Sequence, residues 1–174
     1  IEATTQDDEK LKFTYTGALA FSDKSDDEVN DGHIRANLNV ETQKVTMQKF
    51  SETEDYDNYV LRLFDTDKVT SNGLYPNGAG HKIQLDLYTA KGGDIVGEYT
   101  PGERQKYTPG TFYPGVWFGQ QALGTFCQQN DASYNAKFCA IVDGKVVITK
   151  AKDGAYTIVC NFKDSDGYTV KTSW

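Results

Sequence analysis

The chain is short of cysteine and of basic charge, and it has neither a long apolar run nor a helical stripe. Each shortage excludes a class of protein. Three cysteines among 174 residues are an odd count, so the fold does not rest on a disulfide framework. No two of them have CxxC spacing, which sets aside a structural zinc site. Eighteen basic residues against 25 acidic ones give a formal charge of -7, and the basic residues are scattered. Nucleic-acid binding relies on clustered Lys and Arg that displace counterions, so that class is set aside as well. No apolar stretch approaches the roughly 20 residues that a membrane-spanning helix needs. An i, i+3, i+4, i+7 apolar stripe bounded by caps is also missing, which argues against any substantial helix. There is no Gly-x-Ser-x-Gly elbow, His-Glu-x-x-His pair or Walker loop. The two histidines, His33 and His81, stand beside glycine at the start of apolar segments and read as surface positions.

What the chain does have is alternation at period two, the signature of half-buried strands. It begins with Leu11, Phe13, Tyr15, Gly17, Leu19 and Phe21, and returns in Ile34, Ala36, Leu38 and Val40. Val45 with Met47, then Tyr59, Leu61 and Leu63, then Ile83, Leu85 and Leu87 continue it. A shorter run at 95–99 ends at Pro101-Gly102. Toward the C-terminus, Val146 and Ile148, then Tyr156, Ile158, Cys160 and Phe162, then Tyr168, Val170 and Trp174 are separated by Asp153-Gly154 and Asp166-Gly167. Asp-Gly between alternating segments is a strong hairpin signal, because glycine supplies the positive φ of the tight turn. These runs predict an all-β fold of roughly ten short antiparallel strands ending in a three-stranded meander. One apolar face per strand must be covered, either by a second sheet or by closure. An antiparallel β-sandwich is expected, with a lipocalin-like closed barrel as the alternative.

The polar opening, residues 1–10, reads as a tether, and residues 11–174 as a single domain. A start at Ile1 rather than Met leads to the expectation that a targeting segment has been removed and that the domain is exported. If segments 123–129 and 136–142 pair as a hairpin centred near Ser133, Cys127 and Cys139 fall almost opposite each other. A disulfide between them is then open, subject to the Cβ separation it requires. Against it, Cys139 and Cys160 lie in apolar strands, where a free thiol behaves as a small hydrophobe.

Three loops rich in oxygen ligands, 22–28, 52–57 and 164–167, are the places for Ca²⁺, though none has EF-hand spacing. Asp in such turns commonly bonds the local backbone instead, and no cofactor is expected. The segment 107–118 departs from the alternation, since Pro109-Gly110 and Pro114-Gly115 interrupt it, so it is expected to form an edge strand or a long loop. It also concentrates aromatic side chains, which can stack on sugars or anchor a protein partner. Tyr107, Tyr113 and Trp117 are the candidate ligand-binding residues, weighed against simply filling the core beneath a loop.

The runs Lys82-Ile83-Gln84-Leu85-Asp86-Leu87-Tyr88, Gly97-Glu98-Tyr99-Thr100-Pro101-Gly102, Gly110-Thr111-Phe112-Tyr113-Pro114-Gly115, Asp143-Gly144-Lys145-Val146-Val147-Ile148 and Tyr156-Thr157-Ile158 resemble uncharacterised secreted lipoprotein β-domains of Bacteroides-type gut bacteria. The likeness covers about the C-terminal two-thirds and lies in strand and turn pattern. It implies an exported domain at the outer-membrane surface or in the periplasm, with a lipid anchor upstream, and brings no catalytic residues. The expected function is non-enzymatic binding of a glycan or an envelope protein. The alternatives are an accessory subunit of a surface assembly, joined by strand addition along a Pro-punctuated edge, and a carboxylate-dependent glycoside hydrolase. The 25 acidic residues offer too many pairs to name a catalytic one.

Overall fold

The computed structural model describes residues 31–174, together with the backbone of β1 (Glu2–Thr4) and β2 (Lys10–Lys12), which pair antiparallel. The strand expected from Leu11 to Phe21 lies, beyond Lys12, outside the described residues, as does the acidic loop 22–28. Among the described residues every regular element is a strand, so none is a helix long and apolar enough to cross a membrane.

The remaining strands are β3 (Leu38–Glu41), β4 (Lys44–Glu52), β5 (Tyr56–Phe64), β6 (Gly80–Ala90), β7 (Gly97–Pro101), β8 (Thr111–Phe112), β9 (Val116–Phe118), β10 (Gln121–Leu123), β11 (Phe126–Asn130), β12 (Ala136–Lys150), β13 (Tyr156–Asp164) and β14 (Thr169–Ser173). Ten of them form one sheet in the order β3-β14-β13-β12-β7-β8-β6-β5-β4, with β11 bridging β12 and β6. Strands β6, β11, β12, β7 and β8 therefore close a ring of five, the feature that the barrel alternative anticipates. The C-terminal meander β12-β13-β14 forms as expected, and both of its turn glycines, Gly154 and Gly167, have φ of 90°.

Alternation explains how the sheet folds over itself. Leu61 and Leu63 of β5 and Ile83, Leu85 and Leu87 of β6 face one way and are at most 1% exposed. They share one core with Ile141, Val146 and Ile148 of β12, Ile158, Cys160 and Phe162 of β13, and Val170 of β14. Phe112 of β8 meets Phe162 edge to face at 5.6 Å across that core. Fully burying each such side chain is worth about 1.5–3 kcal/mol, which is what drives the two halves together. Only Thr42 and Gln43 separate β3 from β4, the two outermost strands of the sheet order, so the chain passes directly from one edge to the other. Gln43 N donates to Phe64 O and Thr42 Oγ1 bonds Thr172 Oγ1 at 2.6 Å, fastening this corner to both flanks.

Two segments differ from expectation. The proline-interrupted stretch is largely a loop, as expected, but β8 within it is not an edge: it is paired on one side with β6 and on the other with β7, while β9 pairs with β10 alone among the described strands. Tyr113 N donates to Asp86 O and Gly115 N to Ile141 O, so the backbone at and just after β8 finds partners on both sides and offers no free edge at Thr111–Phe112. Segments 136–142 and 146–148 read as separate runs, yet they are one strand of 15 residues, β12. A register shift between Ile141 and Asp143 bends this strand, so that its first half pairs with β11 and its second with β7. Gly144 makes the bend possible, with φ of 116° and a hypothetical Cβ only 2.2 Å from Asn161 O.

Gly144→Ala combines a disfavoured φ with a backbone clash, and is expected to destabilise the fold by at least about 3 kcal/mol in urea or guanidinium unfolding. Alanine at Gly154, where nothing lies within 4 Å, meets only the φ penalty and serves as the comparison.

Candidate functional site

The outer side of the same strands carries the chemistry. While Ile83, Leu85 and Leu87 enter the core, Lys82, Gln84, Asp86 and Tyr88 of β6 stand on the opposite face. Strand register sets Phe64, Lys82, Gln128 and Phe138 in one cross-strand row, and Arg62, Gln84, Phe126 and Ala140 in the next. Two covers lie over this face. The connection between β5 and β6 is pinned by a Val69–Pro76 bridge, by Thr70–Tyr75 bonds and by Thr46 Oγ1 donating to Gly73 O. The hairpin of β9 and β10 inserts Ala122 and Trp117 against Phe126, Phe138 and Ala140.

At one end of the face four tyrosines from separate segments converge. Ring centroids are 5.3 Å apart for Tyr56 and Tyr88, 5.5 Å for Tyr56 and Tyr107, 5.2 Å for Tyr88 and Tyr107, and 6.3 Å for Tyr107 and Tyr113. Each such pair contributes about 0.5–1.5 kcal/mol beyond its buried area. Tyr107 is 42% exposed while Tyr88 beneath it is buried, so the cluster presents one open ring on a fixed base. Asp86 sits at its foot, accepting from Asn58 Nδ2 at 2.5 Å. Burial raises the Asp86 carboxyl above the usual range even though Asn58 and the Tyr88 hydroxyl bond it. Burial likewise raises the Tyr88 hydroxyl, helped by the Asp86 charge.

At the other end, Lys82 is only 3% exposed and looks into a cavity of about 320 Å³. Its Nζ lies 4.5 Å from the Tyr75 ring centroid and 5.0 Å from that of Phe126. Such contacts are worth about 0.5–2 kcal/mol, less than the cost of taking an ammonium out of water. The ammonium is accordingly pushed down to about 8, chiefly by burial and then by the Arg62 charge, with Cys127 acting weakly the other way. No carboxylate among the described residues makes an ion pair with it. A second concavity, about 380 Å³ between Gln129 and Lys137, is a turn cleft whose Asp131 already accepts from Ser133 N, Asn135 N and Asn135 Nδ2.

Of the residues singled out in the sequence, Tyr107 and Tyr113 come together and Trp117 stands apart. The Trp117 ring stacks on His33 at 3.8 Å and its Nε1 donates to Ser165 Oγ. Cys127 and Cys139 are directly paired across β11 and β12, as the hairpin reading expects. Both are free, buried thiols, and the Cys139 thiol's hydrogen bond, then burial, raises the Cys127 thiol well above the ordinary range. His81 is less simple than a surface position, because Asp65 accepts from its backbone N and lies 2.7 Å from its Nδ1. In the acidic loop 52–57, Asp57 is fully buried 3.0 Å from Lys49 Nζ, and Glu52 pairs with Lys49 and Lys91. Burial works to raise the Asp57 carboxyl, but Lys49 and the Gly92 N–H outweigh it and hold it low. Asp164 Oδ1 accepts from Asp166 N and Tyr168 N, the local turn bonding common for Asp. No group of three His, Cys, Asp or Glu that could hold a metal occurs among the described residues.

Lys82 escapes a reading by alternation, which places it on the polar side of β6. The signal that could reveal it is the loss of alternation at Phe126-Cys127 and at 138–141, consecutive apolar residues that imply burial on both faces.

No family model, curated protein or solved structure matches the chain.

The Lys82 environment predicts a pH dependence of stability. Below about 8 the ammonium is charged in both states and the folded one bears the desolvation cost; as pH rises toward the ordinary 10.5, the folded chain sheds the proton first and the cost is relieved. Lys82→Met should therefore be more stable than the wild type near neutral pH, by on the order of 3 kcal/mol at most. Urea titrations of both chains should show that advantage shrinking between pH 8 and 10.5.

Proposed function

We propose that this chain is a non-enzymatic binding domain that takes a glycan on the tyrosine patch. One observation carries the reading: rings from β5, β6 and two stretches of the 102–115 segment converge at centroid distances of 5.2–6.3 Å, and one of them, Tyr88, bonds Asp86. A sugar offers an apolar C–H face to an open ring and hydroxyls to a carboxylate, and the patch supplies both. The rings are held by each other and by the sheet, so little side-chain entropy is lost on binding. Neither of the two cavities described above contains the pair of carboxylates that glycoside hydrolysis uses. An exported location, at the outer-membrane surface or in the periplasm, goes with this reading through the lipoprotein resemblance.

A glycan array followed by calorimetry on the best ligand tests it. Tyr107→Ala is expected to weaken binding by about tenfold or more, the loss typical of an aromatic anchor. Tyr107→Phe, which keeps the ring, should retain most of the affinity. Trp117→Ala should leave affinity unchanged, because that ring is committed to His33. Absence of any glycan ligand, or equal affinity of Tyr107→Ala, would overturn the reading, and a protein captured through Tyr107 would replace the ligand class.

A further inference from the structure

The cavity at Lys82 is a second site, independent of the tyrosine patch. Five residues of β6 lie between Lys82 and Tyr88, about 20 Å along an extended strand. We propose that it binds a small hydroxylated carboxylate of hexuronic-acid size, with the carboxylate on Lys82.

Charge comes first. A buried ammonium that faces two aromatic rings, feels the like charge of Arg62 and makes no ion pair with a carboxylate of the described residues is a cation short of a counterion. Proteins rarely leave such a group unpaired, since desolvation is recovered only when an anion arrives. The anion would come from outside, because none of the cavity-lining side chains is acidic.

The remaining polar atoms then define the rest of the ligand. Gln84 Nε2 donates to Gly124 O at 3.2 Å, and Gln128 Nε2 donates to Asn130 Oδ1 at 2.7 Å. Both amide groups are thereby oriented, and their carboxamide oxygens are left to accept. Acceptors beside a cation select a molecule that carries hydroxyl donors as well as a negative charge. Phe138 and Ala136 offer apolar surface between these groups, suited to the C–H face of a sugar ring. A volume of about 320 Å³ lies at the small end of ligand sites and suits one such unit. The frame is rigid: Lys82, Gln128 and Phe138 lie in one register row of three paired strands.

The test uses the full chain and ligand-observed NMR with calorimetry. The probes are glucuronate and galacturonate, their neutral parents glucose and galactose, and acetate. Saturable uronate binding is expected, at least tenfold tighter than for the neutral sugars and for acetate. Lys82→Met should weaken uronate binding at least tenfold, and Gln128→Glu, which supplies Lys82 with an internal carboxylate, should do the same by a different route. Thermal melts confirm that each variant is folded. If either variant fails to fold, the other carries the test, and competition of uronate binding by chloride up to molar concentration serves as a mutation-free measure of the ionic contact. No uronate binding, or unchanged affinity in a folded Lys82→Met chain, would overturn the proposal. Acetate binding as tight as uronate would overturn its hydroxyl recognition.

Discussion

The inner faces of β5 and β6 can be kept from water only by the inner faces of β12, β13 and β14, and the rest of the architecture follows from that. Leu61, Leu63, Ile83, Leu85 and Leu87 are too numerous for a loop to cover, so the sheet must fold until its two halves meet. Folding brings its outermost strands toward each other, and the chain uses this by running from β3 into β4 through two residues. The bend at Gly144 serves the same end, letting one long strand belong to both the ring and the meander.

Because the inner face is settled by the fold itself, the outer face of β6 is available for other chemistry. It is neither plain surface nor core. The 65–79 connection and the β9–β10 hairpin cover part of it, so Lys82 and Asp86 sit where water is scarce and charge is expensive. Both respond in the direction that favours their neutral forms. The same partial cover shapes the aromatic end, where Tyr88 is sealed beneath an open Tyr107.

Much of the fold was legible in the sequence. Period-two alternation located β5, β6, β13 and β14, and Asp-Gly turns fixed the meander, because both signals are local. Segments 107–118 and 136–150 were harder to read. Their structure depends on which strands lie alongside, and neither Pro109 nor Gly144 reveals that its neighbours are paired on both sides. The candidate site was legible in part. Tyr107 and Tyr113 stood out as aromatic residues in a loop, whereas Tyr56 and Tyr88 looked like ordinary strand residues. Trp117 had the same credentials as Tyr107 and points elsewhere, since its place follows from a hairpin that lies across β12. Lys82 was invisible as a site because alternation reports which face a residue is on and is silent about what covers that face.

The two sides of β6 differ sharply in what they tolerate. A shift of this strand by one position would carry Lys82, Gln84 and Asp86 into a core of leucine and isoleucine while exposing Ile83, Leu85 and Leu87. A one-residue misalignment during assembly would therefore strand two charges in hydrocarbon. Lys82 and Asp86 thus help to fix the register of the strand that carries them, and exchanging both for apolar residues would remove that discrimination.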